Sequence, residues 1–182
     1  MATPSVHHRG GFGTAISPLQ ARKLKRHLES NANRFVWFTA NTTRSKTLDE
    51  LRADPWYDLF VKLMWIAHRS VTPILIDGPF NSILWADDDF RSQLSQLNLK
   101  RVILDLCMYD GRCRGRTVVW SDVKHLDTLA LRCQQFDGRC SRTGLTHRGR
   151  CDGSDFAGFV DAVNGHLAQY VVHGHALAEH FM

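Results

Sequence analysis

The sequence predicts an α/β fold: a mainly parallel sheet with flanking helices and a terminal antiparallel hairpin strand. Three observations lead there. The segments FVWFTA (35–40), VTPILIDGP (71–79) and KRVILDLC (100–107) are apolar almost throughout, as strands covered on both faces must be. Helix-period segments lie between them, giving the order strand, helix, strand, helix, strand, strand, helix, loop, helix. With 182 residues and a 43% apolar fraction, the chain can bury one core of ordinary size.

Each element has a local reason. Residues 1–17, rich in Gly, Ser, Thr and His, read as a loose arm. Its GGFG lacks the third glycine of a dinucleotide fingerprint and has no strand before it. Ser17 as N-cap and Pro18 in the first turn open a basic helix, so residues 1–34 form a basic arm and helix and 35–182 a single α/β domain. A short helix starts from Thr47. Pro55 then introduces a helix over 56–70, apolar at 56, 59, 60, 63, 64 and 67. Gly78-Pro79 breaks the second strand. Residues 81–97 read as one helix burying Leu84, Phe90, Leu94 and Leu97, and TVVWSD (117–122) pairs back as the fourth strand. HLDTLALRCQQF (125–136) reads as a short helix, 137–155 as a Gly/Arg/Cys loop, and the rest as a closing helix weakened at Gly165 and Gly174.

Charge is uneven. Residues 1–34 hold six Lys/Arg against one acid and 112–150 hold nine against three, so these segments carry +5 and +6 while the remainder carries −6. Two basic segments on an otherwise acidic chain suit a polyanion, DNA or RNA; the same pattern also reads as plain solvated surface. The candidate contacts are Lys23, Lys25 and Arg26 in the basic helix, and Arg112, Arg114 and Arg116 with Thr117 beside them. If extended, the three arginines share one face and fit phosphates; equally, they are charges guarding a sheet edge.

Five cysteines without a secretory signal indicate a reduced, intracellular protein, and no apolar run is long enough for a bilayer, so no membrane partner is expected. Cys133, Cys140, His147 and Cys151 have the right ligand types for zinc, at spacings wider than zinc-finger pairs; free thiols are the competing reading. Cys107 reads as core. Asp77, ending an apolar strand before Gly-Pro, reads as a catalytic acid in a closed pocket or as a turn residue. All five tryptophans fall inside predicted elements and read as core.

ILIDGPFNSILW (74–85) and LDLCMYDGRCRGRTVVWSD (104–122) resemble the Glu-Asn-Pro strand and the Cys-Gln/Met-Tyr-Gly turn with its following hairpin in DNA cytosine methyltransferase-like domains, in particular the divergent phage and retroelement forms. LRCQQFDGRCSRTGLTHRG (131–149) is similar to the Cys/His loop that follows in those relatives. The likeness covers about residues 35–175. It implies the C-terminal half of a truncated, Rossmann-like methyltransferase core. Asp77 stands where that family has Glu, and WFTANTTRSK (37–46) has no cysteine where the family's nucleophile sits. Only 34 residues precede the first strand, too few for the family's cofactor motifs. The resemblance therefore implies a degenerate, nucleic-acid-associated domain without methyl transfer of its own, to which S-adenosylmethionine comes only with a partner chain. The alternatives are half of an active enzyme completed by that partner, or a structural subunit of a ribonucleoprotein, viral or retroelement assembly.

Overall fold

The computed structural model describes residues 6–8, 22, 25–26, 35–39, 47–70, 72–135, 137–149, 151 and 153–178. The strands are β1 (Val6–His8), β2 (Val36–Thr39), β3 (Ile74–Pro79), β4 (Lys100–Asp105) and β5 (Arg116–Ser121). The α-helices are α1 (Leu48–Ala53), α2 (Pro55–Arg69), α3 (Asp88–Gln96) and α4 (Ala157–Ala178). The strand order is β1-β2-β3-β5-β4.

The α/β class stands, but the sheet is mixed rather than mainly parallel. β1–β2 and β2–β3 are parallel, in registers that set Val6 beside Val36 and Thr39 beside Asp77. β5 is inserted next to β3. Its end lies at the start of β3, where Ser121 Oγ donates to Ile74 O at 2.6 Å and Ile74 N donates to the Asp122 carboxylate at 2.7 Å. That end-to-start pairing is what antiparallel neighbours require. β1 falls within the stretch expected to be a loose arm; its backbone pairs with β2.

Two compact units divide the chain: residues 1–101 with 118–124, and 102–117 with 125–182. In the first unit, α1 begins at a capping box in which Thr47 Oγ1 accepts from Glu50 N and Glu50 accepts from Thr47 N. Asp54 caps α2, with Pro55 at its first position. The expected 81–97 helix is two pieces, a 3₁₀ turn over Ile83–Ala86 and then α3. The buried Asp87 between them caps α3 through Asp89 N, and its carboxylate also accepts from Arg52 and Tyr57. Burial pushes this carboxyl up, but the Arg52 and Tyr57 hydrogen bonds outweigh it and hold Asp87 below the usual carboxylate range. Phe60 centres the core, with ring centroids 5.2 Å from Phe38 and 5.8 Å from Phe90. Trp37 and Trp56 are buried and Trp65, Trp85 and Trp120 half-buried, all inside elements.

The second unit holds little regular structure besides α4. The expected 125–136 helix is a single 3₁₀ turn, Leu126–Leu129, followed by irregular chain. The loss of the helix has a cause: Leu131 O accepts from Asp105 N, and Cys133 N donates to the Asp105 carboxylate, both at 2.9 Å. These bonds hold residues 131–133 against the end of β4. α4 runs through Gly165 without a break and through Gly174 as well. Its first turn lies on Tyr109, where a side chain at Gly158 would meet Tyr109 O at 2.0 Å; the Phe159 ring sits 5.3 Å from that of Tyr109.

Candidate metal and anion sites

The last residues of β4 and the turn after it organise the second unit. Asp105 is fully buried and gathers charge around it. Arg116 Nε lies 3.1 Å from its carboxylate, Arg132 Nε 3.4 Å and Arg114 Nε 3.7 Å. Three guanidiniums on one carboxylate leave a local excess of two positive charges. The arginines predicted to share a face therefore do different work. Arg114 is a brace, with its two terminal nitrogens donating to Gln135 Oε1 and Cys133 O. Arg116 is half-buried beside Asp105. Arg112 is exposed, with its backbone held at both ends: its N donates to Asp155 at 2.6 Å and its O accepts from Arg148 N at 2.9 Å. Thr117 is buried with its hydroxyl donating to Gly115 O, which turns it away from solvent. Arg132 was not singled out from sequence; its partnership with Asp105, 27 residues away, is a tertiary effect.

Immediately after Asp105, the 3₁₀ turn Leu106–Tyr109 buries Cys107. Around it stand Cys133, Cys140 and His147, with one ligand atom from each lying within 4.8 Å of all the others. Cys133 Sγ is 4.0 Å from Cys140 Sγ and 3.7 Å from His147 Nε2. Three of the four ligands expected from sequence are thus brought together. The fourth, Cys151, is elsewhere: it forms a disulfide with Cys113, with Cα atoms 5.2 Å apart. Two of the five expected reduced thiols are therefore paired. Cys107, read from sequence as core, takes the fourth place. Its signal was its position, at the strand end facing the Cys/His loop.

The loop is shaped for its cysteines. Gly144 N donates to Cys140 O and Cys140 N to Leu145 O, both at 2.8 Å, closing a tight turn that returns His147 to Cys140. Ser141 N reaches Cys133 Sγ at 3.4 Å. The thiols differ in character. Burial pushes Cys107 up. Burial also pushes Cys140 up, but the backbone N–H groups of Thr143 and Arg142 and the side chains of Thr143 and His147 outweigh it and bring the thiol down to about 6.

Cys113, Cys151 and Asp155 form a second cluster, but its groups are already used. The sulfurs are bonded to each other, and Asp155 accepts from Arg112 N, Cys113 N and the Arg148 guanidinium. Gly115 sits at φ +40, where a side chain would lie 2.6 Å from Cys151 Sγ.

The remaining predicted residues lie in the first unit. Asp77, 1% exposed, accepts from Trp37 Nε1 at 2.7 Å and Thr39 Oγ1 at 2.8 Å, so its carboxylate locks β2 to β3. Lys25 and Arg26 are exposed and helical, and Lys25 lines a cavity of about 510 Å³ with Arg22, Leu63, Ile66 and Arg69. Lys23, like the segment 40–46 after β2, lies outside the described residues. No helix among the described residues is long and apolar enough to cross a membrane. Comparison with family models, curated proteins and solved structures finds no match.

Proposed function

We propose that this chain is a nucleic-acid-binding, methyltransferase-like module that transfers no methyl group by itself. The observation that carries this reading is the convergence of Arg114, Arg116 and Arg132 on Asp105. One carboxylate fixes three guanidiniums in place and neutralises only one of them. Fixed, half-exposed guanidiniums suit phosphate oxygens, because less side-chain entropy is lost on contact. Exposed Arg112, Arg139, Arg142 and Arg148 extend the basic surface along the same loop system, although Arg142 and Arg148 also pair with Asp110 and Asp155.

Asp77 supports the non-catalytic half of the reading. Its buried carboxylate is tied into the sheet, with Trp37 Nε1 and Thr39 Oγ1 both donating to Oδ1. S-adenosylmethionine enters only with a partner chain.

Fluorescence anisotropy with single-stranded DNA and RNA oligonucleotides across a salt series tests the proposal. The logarithm of affinity should fall linearly with the logarithm of salt, by about 0.7 per phosphate neutralised. Replacing Arg112 and Arg132 by Gln should flatten that slope by about one to two phosphates' worth. Absence of binding at low salt overturns the reading. Calorimetry with S-adenosylmethionine should be silent for the chain alone; heat of stoichiometric binding would favour an active enzyme instead.

A further inference from the structure

We infer that Cys107, Cys133, Cys140 and His147 hold one Zn²⁺ as a closed, four-coordinate structural site. The inference rests on geometry and on what the loop lacks, and it stands whether or not the arginines bind a polyanion.

The four ligand atoms lie within 4.8 Å of one another, and the two distances from Cys133 fit tetrahedral coordination. Zinc–sulfur bonds of about 2.3 Å and a zinc–nitrogen bond of about 2.0 Å place tetrahedral sulfurs about 3.8 Å apart, and sulfur and nitrogen about 3.5 Å apart. The Cys133–Cys140 sulfur distance is 4.0 Å and the Cys133–His147 distance 3.7 Å. A disulfide is excluded for the first pair, since its sulfurs would lie at about 2.05 Å.

Hydrogen bonds and ion pairs fix parts of the loop, but its described residues bury almost no apolar side chain of their own. Among described residues 137–149, the only buried side chain is Cys140, His147 is half-buried, and the large apolar residue Leu145 is 69% exposed. The small cluster beneath consists of Cys107, Cys133 and Cys140 with Met108 against them. An ordinary loop of this composition would have nothing to bury. His147 is half-buried and presents its ring to the thiols. Its Nε2 faces sulfur.

The donor set selects the ion. Three thiolates and one imidazole in tetrahedral array favour zinc over hard, oxygen-seeking cations. With four protein ligands no position is left for water or substrate, so the ion is a clamp and not a catalyst. Binding displaces the thiol protons to solvent. A supporting shell is present: Ser141 N donates to Cys133 Sγ, and Asp105 holds Cys133 N. Asp105 thereby ties the clamp to the arginine cluster.

Full-length protein loaded with Zn²⁺ alone, dialysed and assayed by inductively coupled plasma mass spectrometry, should retain one zinc per chain. Zinc-edge X-ray absorption should give three sulfurs and one nitrogen. Cys107→Ser should lose most of the metal and Cys151→Ser should keep it. Substoichiometric zinc in the wild-type protein overturns the site. Retention by Cys107→Ser, or loss from a folded Cys151→Ser, overturns the ligand set. If Cys107→Ser does not fold, the wild-type absorption spectrum decides alone: any first shell other than three sulfurs and one nitrogen refutes it.

Discussion

Asp105→Asn should loosen the second unit and its zinc clamp together. The carboxylate accepts from Arg116 Nε at 3.1 Å, Arg132 Nε at 3.4 Å and Cys133 N at 2.9 Å. Hydrogen bonds to charged groups contribute about 1.5–3 kcal/mol each. The three guanidiniums are 34–41% exposed, so water re-solvates them when the carboxylate goes, and their share falls toward the surface range of about 0–1 kcal/mol. Asparagine keeps one acceptor oxygen and turns an amide toward the arginines. One charged bond at full value plus two discounted ones gives a loss of about 1.5–5 kcal/mol. At this chain length that lowers the melting temperature by roughly 3–20 °C. Because Asp105 anchors the Cys133 backbone, zinc affinity should also fall about 10–100-fold. Thermal unfolding of zinc-loaded protein measures the first effect, and competition with a chromophoric chelator the second. A melting temperature within about 1 °C of wild type with unchanged zinc affinity would refute Asp105 as the link between arginines and clamp.

Three further outcomes follow from other parts of the fold. Reducing Cys113–Cys151, which closes 38 residues of chain, should cost about 4 kcal/mol in metal-free protein by the loop-entropy model, and distinctly less in zinc-loaded protein, where the clamp already closes most of that loop; urea titrations with and without reductant and zinc make the comparison. Asp87→Asn should cost about 1–3 kcal/mol near pH 7. Because the folded Asp87 lies below its ordinary value, its contribution is complete above the unfolded pKa and is lost as pH falls through the folded one; stability against pH should show the mutant and wild type converging below about pH 4. Gly158→Ala drives a methyl into Tyr109 O and should destabilise by about 1–3 kcal/mol, seen as a lower urea midpoint; an unchanged midpoint would mean that α4 does not sit on Tyr109.

Much of the fold was legible because it is locally encoded. The Thr47–Glu50 capping box, Pro55 at the start of α2 and the apolar runs of β2, β3 and β4 each announce themselves within a few residues. What misled was decided at a distance. The insertion of β5 beside β3 depends on Ser121 and Asp122 meeting Ile74, more than forty residues back. β1 is three residues of backbone pairing, too short to leave a pattern. Asp87 splits the 81–97 helix because Arg52 and Tyr57 fix it as a cap; the Asp87-Asp88-Asp89 run was the local hint. The expected helix at 125–136 fails because Leu131 O and Cys133 N bond to Asp105 rather than along a helix. The clamp was three-quarters readable from Cys133, Cys140 and His147. Cys107 was hidden by its apolar strand and by the 26 positions separating it from Cys133, while Cys151 was the nearer choice in sequence.

Asp105 is the proposed link between the two sites: its carboxylate pairs with the arginines proposed to meet nucleic acid and accepts from the backbone of Cys133, a proposed zinc ligand. The most direct test of that link compares oligonucleotide affinity, across a salt series, for zinc-loaded and chelator-stripped protein with the Cys113–Cys151 disulfide intact. The account predicts that stripping weakens binding and flattens the salt dependence, and that added Zn²⁺ restores both. Equal affinity and equal slope in the two states would contradict it.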